Sequence, residues 1–286
     1  MTIREALASG SAALAAAGIE SHSLDASLLL AEVLTISRTS LLAAAPDSLS
    51  ENHFAAFEDY IKRRLAGECV AYILGRKEFR GLEFAVNPAV LVPRPETETL
   101  VEVTRQQLAK GKEQLTEKNQ PLRVLDLCTG SGAIAIALKH EMPELEIWAA
   151  DISAQALEIA TANAARLLPP DSITFCHGNL FDALPKSLFS IIVSNPPYVT
   201  TAEIAGLSPE VRAEPILALD GGNDGLDIIR TIIAKALDFL CPGGALLLEA
   251  DPRQMKHIAA LLENRGFMDI QIHRDLSGER VILGNR

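Results

Sequence analysis

The sequence is short of the residues that declare an oxidising compartment or a metal site. Its four cysteines, Cys69, Cys128, Cys176 and Cys241, lie far apart and form no C-x-x-C pair. That spacing argues against a disulfide framework or a zinc site and points to a reducing, cytoplasmic setting. The six histidines do not cluster, so each reads as a surface or satisfied core residue and no metal is expected. No apolar run is long enough to span a membrane. The N-terminal stretch MTIREALASGSAALAAAGIE carries Arg4, Glu5 and Glu20 where a signal peptide needs an unbroken apolar centre. Positive charge is scarce as well: 26 Lys and Arg against 37 Asp and Glu leave a net charge of −11. Binding to phosphate backbones needs Lys and Arg, so no direct DNA binding is expected, and KRR (62–64) reads as a solvated face. There is no G-x-x-x-x-G-K-[ST], which excludes a P-loop. The full G-x-G-x-x-G is missing too, with Cys at 128 and Ala at 135. ALDGGNDGLD (218–227) has acid and glycine but not the calcium-loop register. It reads as a loop with a helix starting near Asn223.

What remains is ample for a folded protein. The chain has 286 residues, 48% of them hydrophobic, which suits one large or two modest domains with a real core. Residues 1–75 show only helical periodicity. DASLLLAEVL (25–34) has an apolar face with Asp25 as its expected N-cap, and FAAFEDYIKRRLAGE (54–68) repeats the pattern. Residues 76–93 hold short strand-like runs around Gly81 and Asn87-Pro88, read as a β-hairpin linker. A helix over 98–111 and a polar loop over 112–121 follow.

From 122 onward strands and helices alternate. Strands are expected at 123–127, 146–151, 173–178, 190–195 and 245–250. Helices are expected at 132–141, 153–167, 225–240 and 252–266, the third stopping at Cys241-Pro242-Gly243-Gly244. The runs 268–276 and 279–284 read as a closing antiparallel pair around Ser277-Gly278. This alternation predicts a mostly parallel, Rossmann-like α/β sheet covered on both faces, over 94–286.

Three motifs fall at expected strand ends. VLDLCTGSGAIAIAL (124–138) runs a buried strand through Asp126 into a turn where Gly130 and Gly132 let a ligand approach the backbone. Asp151 closes the next strand, where an acid commonly takes ribose hydroxyls. Without a pyrophosphate-binding pattern, an adenosine-type cofactor such as S-adenosylmethionine fits best. The fourth strand ends in Asn195-Pro196-Pro197-Tyr198. Prolines donate no backbone hydrogen bond, so the patch is rich in acceptors on a stiff backbone. It suits a planar –NH2 group: the Asn195 and Pro196 carbonyls take the two N–H groups, Tyr198 stacks on the plane, and the lone pair is aimed at a methyl donor. A plain strand cap explains NPPY alone, but not in order with the glycine turn and Asp151.

D-x-x-x-G-x-G, an acid at the next strand end and then NPPY resemble the class I S-adenosylmethionine-dependent methyltransferases that modify planar amines. NPPY does not separate adenine enzymes from glutamine enzymes. Residues 63–101, with LVPRPETE (91–98), resemble the peptide chain release factor glutamine methyltransferases, the PrmC or HemK family. So do EVRAEPILALDGGNDGLDIIR (210–230) and DLSGERVILG (275–284). The sister enzymes of a ribosomal protein usually depart from PRPETE, and they and adenine-specific enzymes stand as alternatives.

The resemblance implies a seven-stranded sheet with a C-terminal antiparallel strand, preceded by a small all-α domain. It implies a substrate, the glutamine of the Gly-Gly-Gln motif of bacterial class I release factors, docked with help from the helical domain. It implies S-adenosyl-L-methionine as cofactor and S-adenosyl-L-homocysteine as product. The cofactor set would be Asp126, then Cys128, Thr129, Gly130, Ser131 and Gly132 toward the methionine end, Asp151 at the ribose with Ile152, Asn179, Leu180 and Phe181 by the adenine, and Asn195. Asn195, Pro196, Pro197 and Tyr198 would hold the glutamine amide, and Arg94 and Glu96 would shape the site. Thr97 and Glu98 read as the start of the next helix. A monomer is expected. Two positions depart from the family. Cys128 replaces a usual glycine and is expected at ordinary φ, as packing. Ala250-Asp251 replaces Ile-Gly after the retained Glu249.

Overall fold

The computed structural model describes residues 1–115, 122–185, 187–275 and 278–286. The chain divides into two compact units, Met1–Arg76 with Ser208–Ala213, and Lys77–Leu207 with Glu214–Arg286.

The first unit is helical: α1 (Ile3–Ala16), α2 (His22–Leu34), α3 (Arg38–Ala43), α4 (Glu51–Leu65) and α5 (Val70–Leu74). Thr2 and Glu5 form a reciprocal capping box on α1, and Ser50 caps α4. Leu14, Leu29, Leu30, Leu41 and Phe57 fill the core. Gly10 is there for packing, since a Cβ would stand 2.6 Å from Phe57 Cζ. Asp25 is not the cap of α2. The helix begins three residues earlier, and Asp25 lies in its first turn, buried, accepting from Ser21 Oγ and from Arg64 Nε at 2.8 Å. A buried guanidinium needs compensating charge, and Arg64 has it from Asp25 and from Glu210 of the Ser208–Ala213 segment.

The second unit opens with a hairpin, β1 (Arg76–Phe79) and β2 (Leu82–Ala85), then α6 (Thr97–Leu115). The helix outlasts the stop expected at Gly111, so the polar loop expected over 112–121 is helical to Leu115, and 116–121 lie outside the described residues. Next come β3 (Arg123–Leu127), α7 (Ala133–Glu141), β4 (Glu146–Asp151), α8 (Ala154–Leu167), β5 (Ile173–His177) and β6 (Phe189–Ser194). After them follow α9 (Thr201–Ile204), then α10 (Pro209–Arg212), which belongs to the helical unit, then α11 (Asp227–Phe239), β7 (Leu240–Glu249), α12 (Met255–Arg265), β8 (Met268–Arg274) and β9 (Glu279–Asn285). The strand order is β5-β4-β3-β6-β7-β9-β8, with β9 antiparallel to both neighbours. Leu276 and Ser277, in the expected closing turn, lie outside the described residues.

Alternation along each strand splits the core between the two faces. Val124, Ile191, Val193, Ala245 and Leu247 pack on one side with α6 and α7 residues. Leu125, Leu127, Ile192, Leu246 and Leu248 pack on the other with α11 and α12. Burial on both faces is why these strands read as continuous apolar runs. Two boundaries differ from the sequence reading. Helix α11 starts at Asp227, not near Asn223, because Gly222 and Gly225 both hold positive φ. Pro242-Gly243-Gly244 does not end a helix before a loop; it lies inside β7, where the ladder to β6 is irregular between Phe189 and Ile191. Such irregularity is where a strand tolerates proline.

Sheet order reverses between β3 and β6, and a doubly wound sheet opens its crevice at that point, beyond the strand C-termini. Leu127 pairs with both Ala150 and Ser194. The residues that follow, Cys128, Asp151 and Asn195, therefore leave the sheet side by side.

Candidate active site

A cavity occupies this crevice. Its walls include Cys128, Thr129, Gly130 and Ser131 after β3, Asp151 and Ile152 after β4, Asn179 and Leu180 after β5, and Asn195 and Pro197 after β6. Arg94 also lines it. Six sequence candidates do not: Asp126, Gly132, Phe181, Pro196, Tyr198 and Glu96.

Asp126 lies beneath the glycine turn. Its Oδ2 accepts from Thr129 Oγ1 at 2.6 Å and from Ala135 N at 3.2 Å, which ties the end of β3 to the start of α7. Its Oδ1 is buried without a partner among the described residues. Burial lifts its pKa to about 7. An unfolded aspartate ionises near pH 4, so between these values the unfolded state holds fewer protons than the native state. Stability then falls with rising pH by about 1.4 kcal/mol per unit for this group and levels off above about 7. Asp126→Asn should therefore gain on the wild type between pH 5 and pH 8 in urea unfolding; parallel curves would show that Asp126 stays ionised.

The turn itself is knotted to β4. Thr129 N donates to Ala150 O at 3.1 Å, and Gly130 N donates to Asp151 Oδ2 at 2.9 Å. Asp151 Oδ1 accepts from Ser153 N at 2.9 Å. Burial raises the Asp151 pKa against these donors. Gly132, at φ +82°, caps α7 from the left-handed region, and a Cβ there would stand 2.9 Å from Ile136 Cδ1.

Cys128 corrects an expectation. Its φ is +60°, not ordinary, because the chain must turn sharply where β3 ends between two hydrogen-bonded neighbours. Burial pushes its thiol up to about 12, so it is a packed thiol and not a nucleophile. A side chain in this region costs roughly 1–2 kcal/mol relative to glycine. Cys128→Gly should thus be more stable than Cys128→Ala by about 1 kcal/mol in denaturant titration; the reverse order would mean that the turn carries no strain.

Leu180 also takes positive φ, +49°. Its side chain and that of Asn179 reach the cavity, whereas Phe181 turns into the core and stacks on Phe239 at 4.6 Å.

Asn195 and Pro197 face the cavity, Pro196 is buried behind them, and Tyr198 packs against the core under α11 and α12. Burial raises the Tyr198 pKa, and the nearby Glu249 charge adds to this. The loop after the single 3-10 turn Ile216–Ala218 braces the tetrad. Val199 N donates to Leu219 O and Gly221 N to Val199 O, at 2.9 and 2.8 Å. A Cβ on Gly221 would stand 2.8 Å from Pro197 O, and one on Gly225 would collide with Tyr198 O. Gln254 Nε2 donates to that same Tyr198 O at 3.0 Å. These glycines were legible only as a loop; their reason is close approach to the NPPY backbone.

The remaining wall was missed by the sequence reading. Leu91, Pro93 and Thr97 line it from the PRPETE side, and Pro215, Leu217, Ala218 and Asp220 from the segment after α10. The two are joined by Glu214, which accepts from Arg94 Nη2 at 2.5 Å and from Val92 N at 3.3 Å. Glu96 is half-buried near Glu249, where its charge raises that carboxyl's pKa. Among the described residues no cluster suited to a metal ion occurs, and no helix is long and apolar enough to cross a membrane.

Comparison with known proteins assigns the arrangement. Residues 5–75 match the family model of the PrmC N-terminal domain, and residues 104–207 match the methyltransferase small domain. A release factor glutamine methyltransferase of Deinococcus radiodurans is 40% identical over 100% of this chain and 99% of its own length. The chain belongs to the release factor glutamine methyltransferase family. Another member, from Bradyrhizobium diazoefficiens, is 44% identical over 88% of this chain and 83% of its own. The methyltransferase fold is seen again in a crystal structure of a methyltransferase from Pyrococcus furiosus, 17% identical, with a TM-score of 0.52 over 80% of this chain and 98% of that one. In this release factor glutamine methyltransferase family member, the seven-stranded fold expected from the sequence is thus the fold observed.

Proposed function

We propose that this chain transfers a methyl group from S-adenosylmethionine to the side-chain amide nitrogen of the Gly-Gly-Gln glutamine in bacterial class I release factors, in the cytoplasm. The observation that carries the reading is the alignment of Cys128, Asp151 and Asn195 on one crevice in a chain so similar to enzymes named for that reaction.

The residues fit the cofactor. Gly130, at φ +55°, lines the cavity with open space where a Cβ would stand. Asp151 and Asp220 supply negative charge, while Ile134, Ile152 and Leu180 supply apolar wall. Such a lining suits a cationic nucleoside. Residues 128–131, Asp151, Ile152, Asn179 and Leu180 would hold it. When bound, S-adenosylmethionine supplies an electrophilic methyl group.

The protein's own part is alignment. A conjugated amide nitrogen is a weak nucleophile, so its lone pair must be held in line and the charge that develops on it must be met by fixed acceptors. Asn195 Oδ1 is such an acceptor, on a backbone stiffened by two prolines. The nitrogen gains the methyl and sheds one proton to solvent, for which no strong base is required. Leu217 and its neighbour Ile216, both more than half exposed, give the cavity an apolar rim suited to a protein substrate. The helical unit, a match to the PrmC N-terminal domain, would help dock it.

Methyl-labelled cofactor with a release factor, intact or carrying Gln→Ala in Gly-Gly-Gln, tests the reading. Label on the intact factor alone supports it. Label on neither, with the cofactor still bound, refutes the substrate.

A further inference from the structure

Asn195 follows β6 and Glu249 closes β7. Because Ser194 pairs with Leu248 in parallel register, Asn195 and Glu249 stand next to each other where the two strands end. Thr97, the first residue of α6, engages both. Asn195 Nδ2 donates to Thr97 Oγ1 at 3.2 Å. Hydrogen bonding from Thr97 to Glu249 opposes the burial that raises that carboxyl's pKa.

A threonine hydroxyl has one proton and two lone pairs. Where Glu249 is ionised, above a pKa that burial raises to about 7, it takes that proton and only lone pairs face Asn195. A lone pair accepts from an –NH2 and repels an amide oxygen, so the two near-isosteric orientations of the Asn195 amide cease to be equivalent. With Nδ2 held by Thr97, Oδ1 is the atom free to accept from a ligand in the cavity that Asn195 lines. Glu249 suits this task. It is 1% exposed, and its Oε2 has no hydrogen-bond partner among the described residues. A buried carboxyl left partly unsatisfied is costly, which argues for a role beyond packing. Arg280 on β9 draws its pKa down, while Glu96 before α6 and Asp275 after β8 push it up.

We propose that Thr97 and Glu249 are positioning residues that orient the Asn195 amide, so that its oxygen and not its nitrogen meets the substrate glutamine. The inference rests on the function proposed above. The hydroxyl-to-carboxylate order gives the Asn195 site its selectivity for an –NH2 donor.

The test uses Thr97→Val, which keeps shape and loses the hydroxyl, and Thr97→Ser, which restores it. Steady-state methylation of a release factor is measured beside calorimetric binding of S-adenosylmethionine. Thr97→Val is expected to bind cofactor within about threefold of the wild type while kcat/KM falls about 30-fold, mostly in kcat, because a misaligned amide is bound but unreactive. Thr97→Ser should recover most of the loss. A wild-type kcat/KM for Thr97→Val overturns the proposal, as does a Thr97→Ser variant no better than Thr97→Val, since the loss is then one of packing. A readout independent of turnover is the 15N side-chain amide signal of Asn195 without substrate. It should move in Thr97→Val and return in Thr97→Ser. If the wild type leaves the release factor unlabelled, the proposed function fails, and this signal alone still decides: an unmoved resonance in Thr97→Val refutes the orientation.

Discussion

Asn195→Ala is expected to lower kcat for release-factor methylation by about 10²–10³-fold while cofactor affinity changes by less than tenfold. The size follows from what else the site has. Two carboxylates line the cavity, and both are already committed. Asp151 accepts from the Gly130 and Ser153 N–H groups, and Asp220 from Gly222 N and Thr201 Oγ1. Hydrogen bonds hold the Asp220 pKa below the usual carboxylate range. Neither is a general base in waiting. On the function proposed above, alignment by the NPPY acceptors carries the chemical step, and removing the side-chain acceptor forfeits it. Single-turnover transfer of labelled methyl, with calorimetric cofactor binding in parallel, measures both quantities. A variant that retains a tenth or more of the wild-type rate would show that backbone carbonyls suffice.

Gly225→Ala is expected to destabilise the protein by about 3 kcal/mol or more and to slow methyl transfer beyond what unfolding explains. Two costs combine. Gly225 has φ +73°, where a side chain is strained by roughly 1–2 kcal/mol. The added Cβ also collides with the Tyr198 carbonyl oxygen and with Gln254 Nε2, and the former is backbone that cannot rotate away. Overpacking of this kind costs typically 1–3 kcal/mol more. The strain is relieved by moving Tyr198, and with it the tetrad. Thermal unfolding should show a drop of roughly 6–12 °C for a domain of this size. At a temperature where the variant is folded, kcat should still be depressed. A variant with wild-type Tm would mean that the loop shifts freely and does not brace NPPY.

Much of the fold was open to reading because its signals are local. β3 and β4 match their expected bounds at both ends, each an apolar run closed by a turn former. Gly132 and Ser153 stand at the helix starts where the motif put them. The expectations that failed depend on segments distant in the chain. Nothing near Asp25 reveals that Arg64 needs its carboxylate. Nothing near Pro242 reveals that β6 pairs on both sides of it, Phe189 with Leu240 and Ile191 with Ala245. The left-handed turn at Cys128 is imposed by hydrogen bonds to β4, while the residue itself argues against it. The candidate site divides in the same way. Residues at strand ends were found from the strands. The wall built by Glu214 to Asp220, and the role of Thr97, depend on contacts with residues about a hundred positions away, such as Arg94 with Glu214 and Thr97 with Asn195.

The Ser208–Ala213 segment has a bearing on how such a protein can be inherited. The chain leaves the catalytic unit after Leu207, contributes α10 to the helical unit, where Glu210 meets Arg64, and re-enters at Glu214. The helical unit is therefore not a cassette. Fusing a foreign N-terminal module to this catalytic sequence would bring along a stretch shaped for another host and leave Glu210 without Arg64. Recombination at the Arg76–Lys77 junction alone cannot exchange the unit cleanly, because the Ser208–Ala213 segment stays behind.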